Sequence, residues 1–193
     1  MAISYPLSPP SPFRVSRLNL TGMSATSRNV SPFTFQSQQY NWPGQAWAGS
    51  VECPPMTRAD AEQVIAFLLA AHRGTFYLQD YANTSPRGSV TGTLTVSSAT
   101  ANATTLGISG ATGSFAVGDW LQISTSLYKV IQVNSSSSVD LFPVLRSSYT
   151  AGTAITYSNA KGVFRLAEPK TDWSIELASI YGVSFSIVEN VAQ

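Results

Sequence analysis

The side chains able to do chemistry are few and scattered. His72 is the only histidine, so any Ser–His–Asp triad would have to run through it. No nucleophile-elbow sequence accompanies it. It falls in the last turn of an expected helix, where a satisfied or dipole-paired role is the simpler reading. Cys53 is the only cysteine, which rules out an intrachain disulfide. Lying on an expected strand, it reads as a small buried apolar group rather than a reactive thiol. The ten acidic residues are Glu52, Asp60, Glu62, Asp80, Asp119, Asp140, Glu168, Asp172, Glu176 and Glu189. They show no ligand spacing of the kind that zinc or calcium sites require. Their spacing leaves paired carboxylates for glycoside hydrolysis open, but nothing positive favours them. There is no phosphate-binding loop and no dinucleotide fingerprint. The sequence therefore assigns no catalytic, cofactor-binding or metal-binding residue, and the chain is expected not to be an enzyme.

Two further sets of residues are suited to binding rather than catalysis. Tyr40, Trp42 and Trp47 flank Pro43-Gly44. They could form a platform for stacking sugars, although core filling or subunit contact suits them better. Trp120 follows Gly118-Asp119 and is expected in a barrel core. Arg14, Arg17 and Arg28 make a modest basic set. A solvated face is its default reading, and a place beside a DNA-carrying lumen is the weaker one.

Composition narrows the partners. Charged residues make up 11% of the 193 and the formal net charge is +1, against a usual charged share of roughly 25%. No basic field invites nucleic acid. With 44% hydrophobic residues, the charge deficit predicts a surface partly covered by partners. Met1 to Pro6 has neither a basic region nor a long apolar run, so a secretory signal is not expected. No window reaches the roughly 20 apolar residues of a membrane-spanning helix. These features predict assembly in the cytoplasm.

One segment has a helical period, and the rest reads as β. Thr57 is placed to cap a helix over 58–73, with Asp60 reaching back to its amide. Pro54 and Pro55 bar any earlier start. Ala61, Val64, Ile65 and Leu68 form an apolar stripe that Phe67, Leu69 and Ala70 widen. One side is expected on the core, and the other is open to contact with a neighbouring subunit. Gly74 supplies a C′ residue that tolerates positive φ. A strand is expected over Thr75–Asp80.

Before the helix, Ser4–Phe13 carries four prolines and predicts an extended arm that either frays or lies on a neighbour. A strand is expected over Arg14–Thr21, then a polar turn over Gly22–Asn29. A second strand starts near Pro32 with Phe33 and Phe35 on one face and runs to Tyr40 or Trp42, and Pro43-Gly44 makes a turn. A third strand covers Gln45–Cys53. From Gly88 to Ala160 only Asp119, Lys129, Asp140 and Arg146 are charged, and about a third of the residues are serine or threonine. Strand signals recur at Thr93–Val96, Thr104–Ile108, Trp120–Ile123, Leu127–Val133, Val139–Leu145 and Ala154–Tyr157, with turns at Gly118-Asp119, Asn134-Ser135 and Ala151-Gly152. That spacing suits a small OB or SH3-like barrel. Strand signals return at Gly162–Leu166, at Trp173, Ile175 and Leu177, and over Ile180–Val188. The expected organisation is a mainly β protein: a discontinuous β-sandwich of 1–87 plus 161–193 with one flanking helix, and an inserted barrel of 88–160.

Several short motifs then gain meaning from their order: Ser31-Pro32-Phe33-Thr34, Tyr40-Asn41-Trp42-Pro43-Gly44-Gln45, Pro54-Pro55-Met56 with its helix, Arg73-Gly74-Thr75-Phe76, and Lys161-Gly162-Val163-Phe164-Arg165-Leu166. The order resembles tailed-bacteriophage minor tail proteins, and the interrupted layout resembles distal tail proteins. The resemblance covers essentially the whole chain. It implies a structural virion protein whose tail-tube-like domain forms a homo-oligomeric, hexameric ring at the end of the tube. Such a ring joins the tail-tube protein to the hub or baseplate, the fibres and the host-attachment apparatus. It implies an outward-pointing OB-like barrel available for docking, DNA only passing through the lumen, no membrane insertion, and no catalytic residues to carry over. Other tail rings (tube subunit, terminator or connector) and a carbohydrate-binding module contacting the host surface remain the alternatives.

Overall fold

A computed structural model describes residues 3–175 and 180–191. Its elements in chain order are β1 (Arg17–Val30), β2 (Ser37–Glu52), β3 (Met56–Thr57), α1 (Arg58–Ala71), β4 (Phe76–Gln79), β5 (Thr95–Ser98), β6 (Thr105–Ser109), β7 (Trp120–Ile123), β8 (Ser126–Ser135), β9 (Ser138–Phe142), β10 (Ile155–Thr156), β11 (Lys161–Leu166), β12 (Asp172–Ile175) and β13 (Ile180–Glu189). The architecture is mainly β, a β-sandwich body with one flanking helix and a small barrel. Hydrogen bonding links the body strands in the order β1-β2-β13-β11-β4, with β12 and β3 attached to β13.

β13 is the spine of the body. Tyr181, Val183, Phe185, Ile187 and Glu189 alternate inward, and all five are buried. Tyr181, Val183, Phe185 and Ile187 meet the buried side of α1, formed by Ala61, Val64, Ile65, Phe67, Leu68 and Ala71, in one apolar cluster. That shared burial holds the helix more firmly than local propensity would. Leu69 points outward and is 49% exposed, so of the residues expected to widen the stripe Phe67 is buried and Ala70 half-buried. At the helix start the Thr57 hydroxyl donates to Asp60 Oδ2 (3.3 Å) instead of accepting an amide, so the expected capping box is absent.

Gly74 does not adopt positive φ, contrary to the C′ expectation. It is needed for space, since a Cβ there would sit 2.3 Å from the Tyr5 ring. The Tyr5 hydroxyl donates to the Ala70 carbonyl (2.9 Å). Beside it, the Leu7 amide donates to Thr75 O (2.8 Å) and the Tyr77 amide to Leu7 O (2.9 Å). The proline-rich segment is thus a strap on its own chain, covering part of the β4 edge.

The second sheet runs β10-β7-β8-β9-β6-β5. A bridge between Thr95 and Ala154 brings β5 alongside the start of β10 and nearly closes it. Leu94, Leu106, Leu121, Ile123, Tyr128, Leu141 and Leu145 fill its separate core. The turn between β8 and β9 lies at Ser136-Ser137, slightly beyond the expected Asn134-Ser135.

The largest departure lies before the helix. Gly22–Asn29 is not a turn, and Pro43-Gly44 is not one either. β1 and β2 form one long antiparallel hairpin paired from Arg17↔Glu52 to Val30↔Ser37. Pro43 is accommodated because the register shifts there. Ser24 pairs with Gln45 and Thr26 with Asn41, leaving Trp42, Pro43 and Gly44 opposite Ala25. In such a bulge the missing proline N–H costs no ladder bond. Leu177 and Glu176, which the sequence assigns to a strand signal and to the acidic set, lie outside the described residues.

Candidate assembly surface

The most unusual surface is the outer part of this hairpin. From Thr21 to Gly44 every residue is exposed except Ser31, which is half-buried. β13 pairs with β2 only over Ala48–Glu52. Beyond Ala48 the ribbon has two strands, and its ten-residue β1 portion reaches about 30 Å at a strand's rise per residue. Between Leu18 and Val51 the only charged side chain is Arg28.

The tip is built by Ser31. Its carbonyl accepts from the Phe35 amide (2.9 Å), its amide donates to Gln36 O (2.9 Å), and its hydroxyl accepts from the Thr34 amide (3.3 Å). Phe35 is held at φ 55°, a left-handed conformation uncommon for a bulky residue. Phe33 and Phe35 therefore sit on a turn instead of on one face of a strand. They are 91% and 81% exposed. Further down the ribbon, Tyr40 and Trp42 form an exposed edge-to-face pair with centroids 4.7 Å apart. Trp47 does not join them, because it is buried at the root of the ribbon. Exposure of this many large apolar groups on a ribbon whose only charge is Arg28 makes it the candidate binding surface of the chain.

The root of the ribbon meets the barrel. Trp47 packs against Trp120 at 5.2 Å and Phe142 at 4.9 Å, and its indole N–H donates to Leu127 O (3.1 Å). Trp120 is thus in the seam between barrel and body, not in the barrel core where the sequence places it. Its own N–H donates to Asp80 Oδ2 (3.0 Å), and the Lys129 ammonium lies 4.4 Å from its ring centre. Arg146 Nη2 donates to Glu189 Oε2 (2.6 Å), which also accepts from the Trp47 amide (3.0 Å). Burial pushes the Glu189 carboxyl above the usual range, against the opposing pull of Arg146 and the Trp47 amide. Where the chain enters the barrel, the buried Asp119 carboxylate accepts from the amides of Arg87 (2.7 Å), Gly88 (3.2 Å) and Ala116 (2.8 Å).

The remaining chemical candidates disperse. His72 Nε2 is 2.6 Å from the Thr171 hydroxyl and half-buried, a satisfied position at the helix end. Cys53 is buried, and desolvation pushes its thiol up to about 11. Among the described residues no group of three His, Cys, Asp or Glu side chains could hold a metal ion. No helix among them is long and apolar enough to cross a membrane. Arg14 and Arg17 lie near the start of β1 while Arg28 is near the tip, about 35 Å of strand from Arg17, so they make no single patch. Sequence reasoning read strand on the β2 side of the ribbon but missed that β1 and β2 continue as one hairpin. Its available signal was the stretch between Arg17 and Glu52, in which Arg28 is the only charged residue. Compared with known proteins, the chain matches no protein-family profile and no curated protein.

Proposed function

We propose that this chain is a structural subunit of a phage tail tip. It forms a homo-oligomeric ring, hexameric as in the distal tail proteins its interrupted layout resembles. The ring joins the tail tube to the hub and receptor-binding apparatus at the tip of the virion, after assembly in the host cytoplasm. The work is mechanical: the subunit has no catalytic step and holds no cofactor, and DNA meets it only in the lumen. The observation that supports this reading most directly is the exposed ribbon, charged only at Arg28, that ends in Phe33 and Phe35. An isolated subunit gains nothing from holding those groups in water, whereas copies packed side by side or end to end would cover them. A tube subunit, terminator or connector ring would use the same surface in another place along the tail.

Native mass spectrometry with negative-stain electron microscopy tests the reading. Rings of a single stoichiometry, or incorporation into tails when the chain is added to tail-tube protein, are the expected result. A chain that stays monomeric at high concentration and joins no tail structure sinks it. A second reading, host-glycan binding, draws on the exposed Tyr40–Trp42 pair. Titration with cell-envelope sugars decides it, and binding that survives Trp42→Ala removes this pair from consideration.

A further inference from the structure

Past Ala48 the hairpin loses β13 as a neighbour, and the outer edge of β1 has no partner among the described residues. A two-stranded ribbon is marginal on its own, so a swivel would be expected at this root. The barrel's segment from Phe142 to Arg146 lies against that point. A Cβ on Gly22 would be 2.7 Å from Phe142 Cε1, so β1 passes directly under this ring. The Val144 amide donates to the Gln45 side-chain oxygen (2.8 Å), and Arg146 Nη1 donates to the Gln45 carbonyl (2.6 Å). The other arm of the guanidinium takes Glu189, at the end of the body's spine. Arg146 is itself fixed from the barrel side, because its amide donates to the Tyr128 hydroxyl (3.0 Å), which contacts the Tyr149 hydroxyl (3.0 Å). Gln45 is the residue immediately after the Trp42–Gly44 bulge.

We propose that the inserted barrel is a buttress for the hairpin, and that Arg146 is a positioning residue fixing the angle at which the ribbon leaves the body. The fork of the guanidinium ties three parts together: barrel, ribbon root and spine. A planar, two-armed donor suits that task better than a point charge would. Net stability does not explain the pair well. Its side chains are 11% and 4% exposed, and a buried ion pair is commonly no more stabilising than a well-packed apolar pair. Arg146 Nε is buried without a partner among the described residues, which a site selected for stability alone would avoid. What the fork supplies is direction. This inference deepens the proposed function, for which a ribbon held at one angle presents Phe33 and Phe35 to a neighbour in a repeatable place.

The test uses the whole monomeric chain and needs no ring. In a Cys53→Ala background, spin labels at Ser27→Cys on the ribbon and Ser137→Cys on the barrel report their separation by pulsed electron paramagnetic resonance. The labelled parent is expected to give one narrow distance distribution. Arg146→Met/Glu189→Gln, which removes both charges while leaving a side-chain oxygen to accept from the Trp47 amide, is expected to keep its Tm but lose that narrow distribution. Arg146→Lys keeps a charge for Glu189 but cannot also fork onto the Gln45 carbonyl, and it is expected to broaden the distribution by less. A mere stability role would leave the width unchanged wherever Tm is unchanged. A parental width in folded Arg146→Lys, or in the double variant at parental Tm, overturns the proposal. Failure of the parent to form rings would count against the proposed function and leave this measurement standing.

Discussion

At the scale of single residues, burial sets the chemistry. The Cys53 thiol is raised to about 11 by desolvation, and desolvation raises Tyr81 to about 12 and Tyr128 further still. Each group is neutral when protonated, and each is harder to ionise folded than unfolded. Their contribution to stability is therefore complete below the unfolded values and is lost as pH rises through the folded ones. We expect the urea midpoint to hold steady near neutrality and to fall from about pH 9 upward, since an unfolded thiol ionises first near 9.0. A midpoint constant to pH 11 would contradict that assignment. The same burial makes a second outcome measurable. Cys53 should resist iodoacetamide at pH 8 in the native chain and react once denaturant is added, because only the accessible thiolate is nucleophilic.

At the scale of elements, the hairpin separates two roles that usually coincide, folding and contact. Phe33 and Phe35 touch water rather than the core. Replacing both with serine should shift stability by no more than about 0.5 kcal/mol, as for surface changes in general, while ring formation is lost. Denaturation curves and electron microscopy on the same preparation check the two halves. A double variant that still forms rings would move the contact elsewhere. The hairpin was also the least legible element. α1 was readable to within two residues because its apolar stripe recurs at helical spacing and is buried. β13 and the barrel strands were readable because one face of each is dry, which writes an alternating pattern into the sequence. The outer ribbon is wet on both faces, so Thr21 to Asn29 has no reason to alternate and resembles a loop. Pro43-Gly44 carries a turn signature that the bulge uses for another purpose. Trp120 was misplaced for a related reason. Periodicity marks a buried face without saying which core covers it.

At the scale of the whole molecule, barrel and body have separate apolar cores that meet at one buried aromatic group. Trp47 reaches Trp120, Phe142 and the Leu127 carbonyl at once. Trp47→Ala is expected to cost about 3–5 kcal/mol, the range for large aromatic truncations. It should also divide one cooperative unfolding transition into two, as the barrel comes to melt apart from the body. Calorimetry shows both effects, and a single transition at the parental Tm would deny Trp47 this linking role. The covalent crossings are secured as well. Asp119 gathers the incoming amides of Arg87 and Gly88, and the Lys161 amide donates to Gln122 Oε1 (2.9 Å) on the way out.

The surplus of Trp42, Pro43 and Gly44 opposite Ala25 has a consequence for how the ribbon keeps time with itself. Two polar strands can slide past one another by a pair of residues without moving any apolar group between oil and water, so nothing in their faces records the correct alignment. The surplus does record it. It acts as a notch in an otherwise even zip: a slipped ribbon would have to drag a proline into a position that calls for an N–H donor. Phe33 and Phe35 therefore come to the end of the ribbon, and not to one side of it, because of three residues roughly 25 Å away along the strand, near its root.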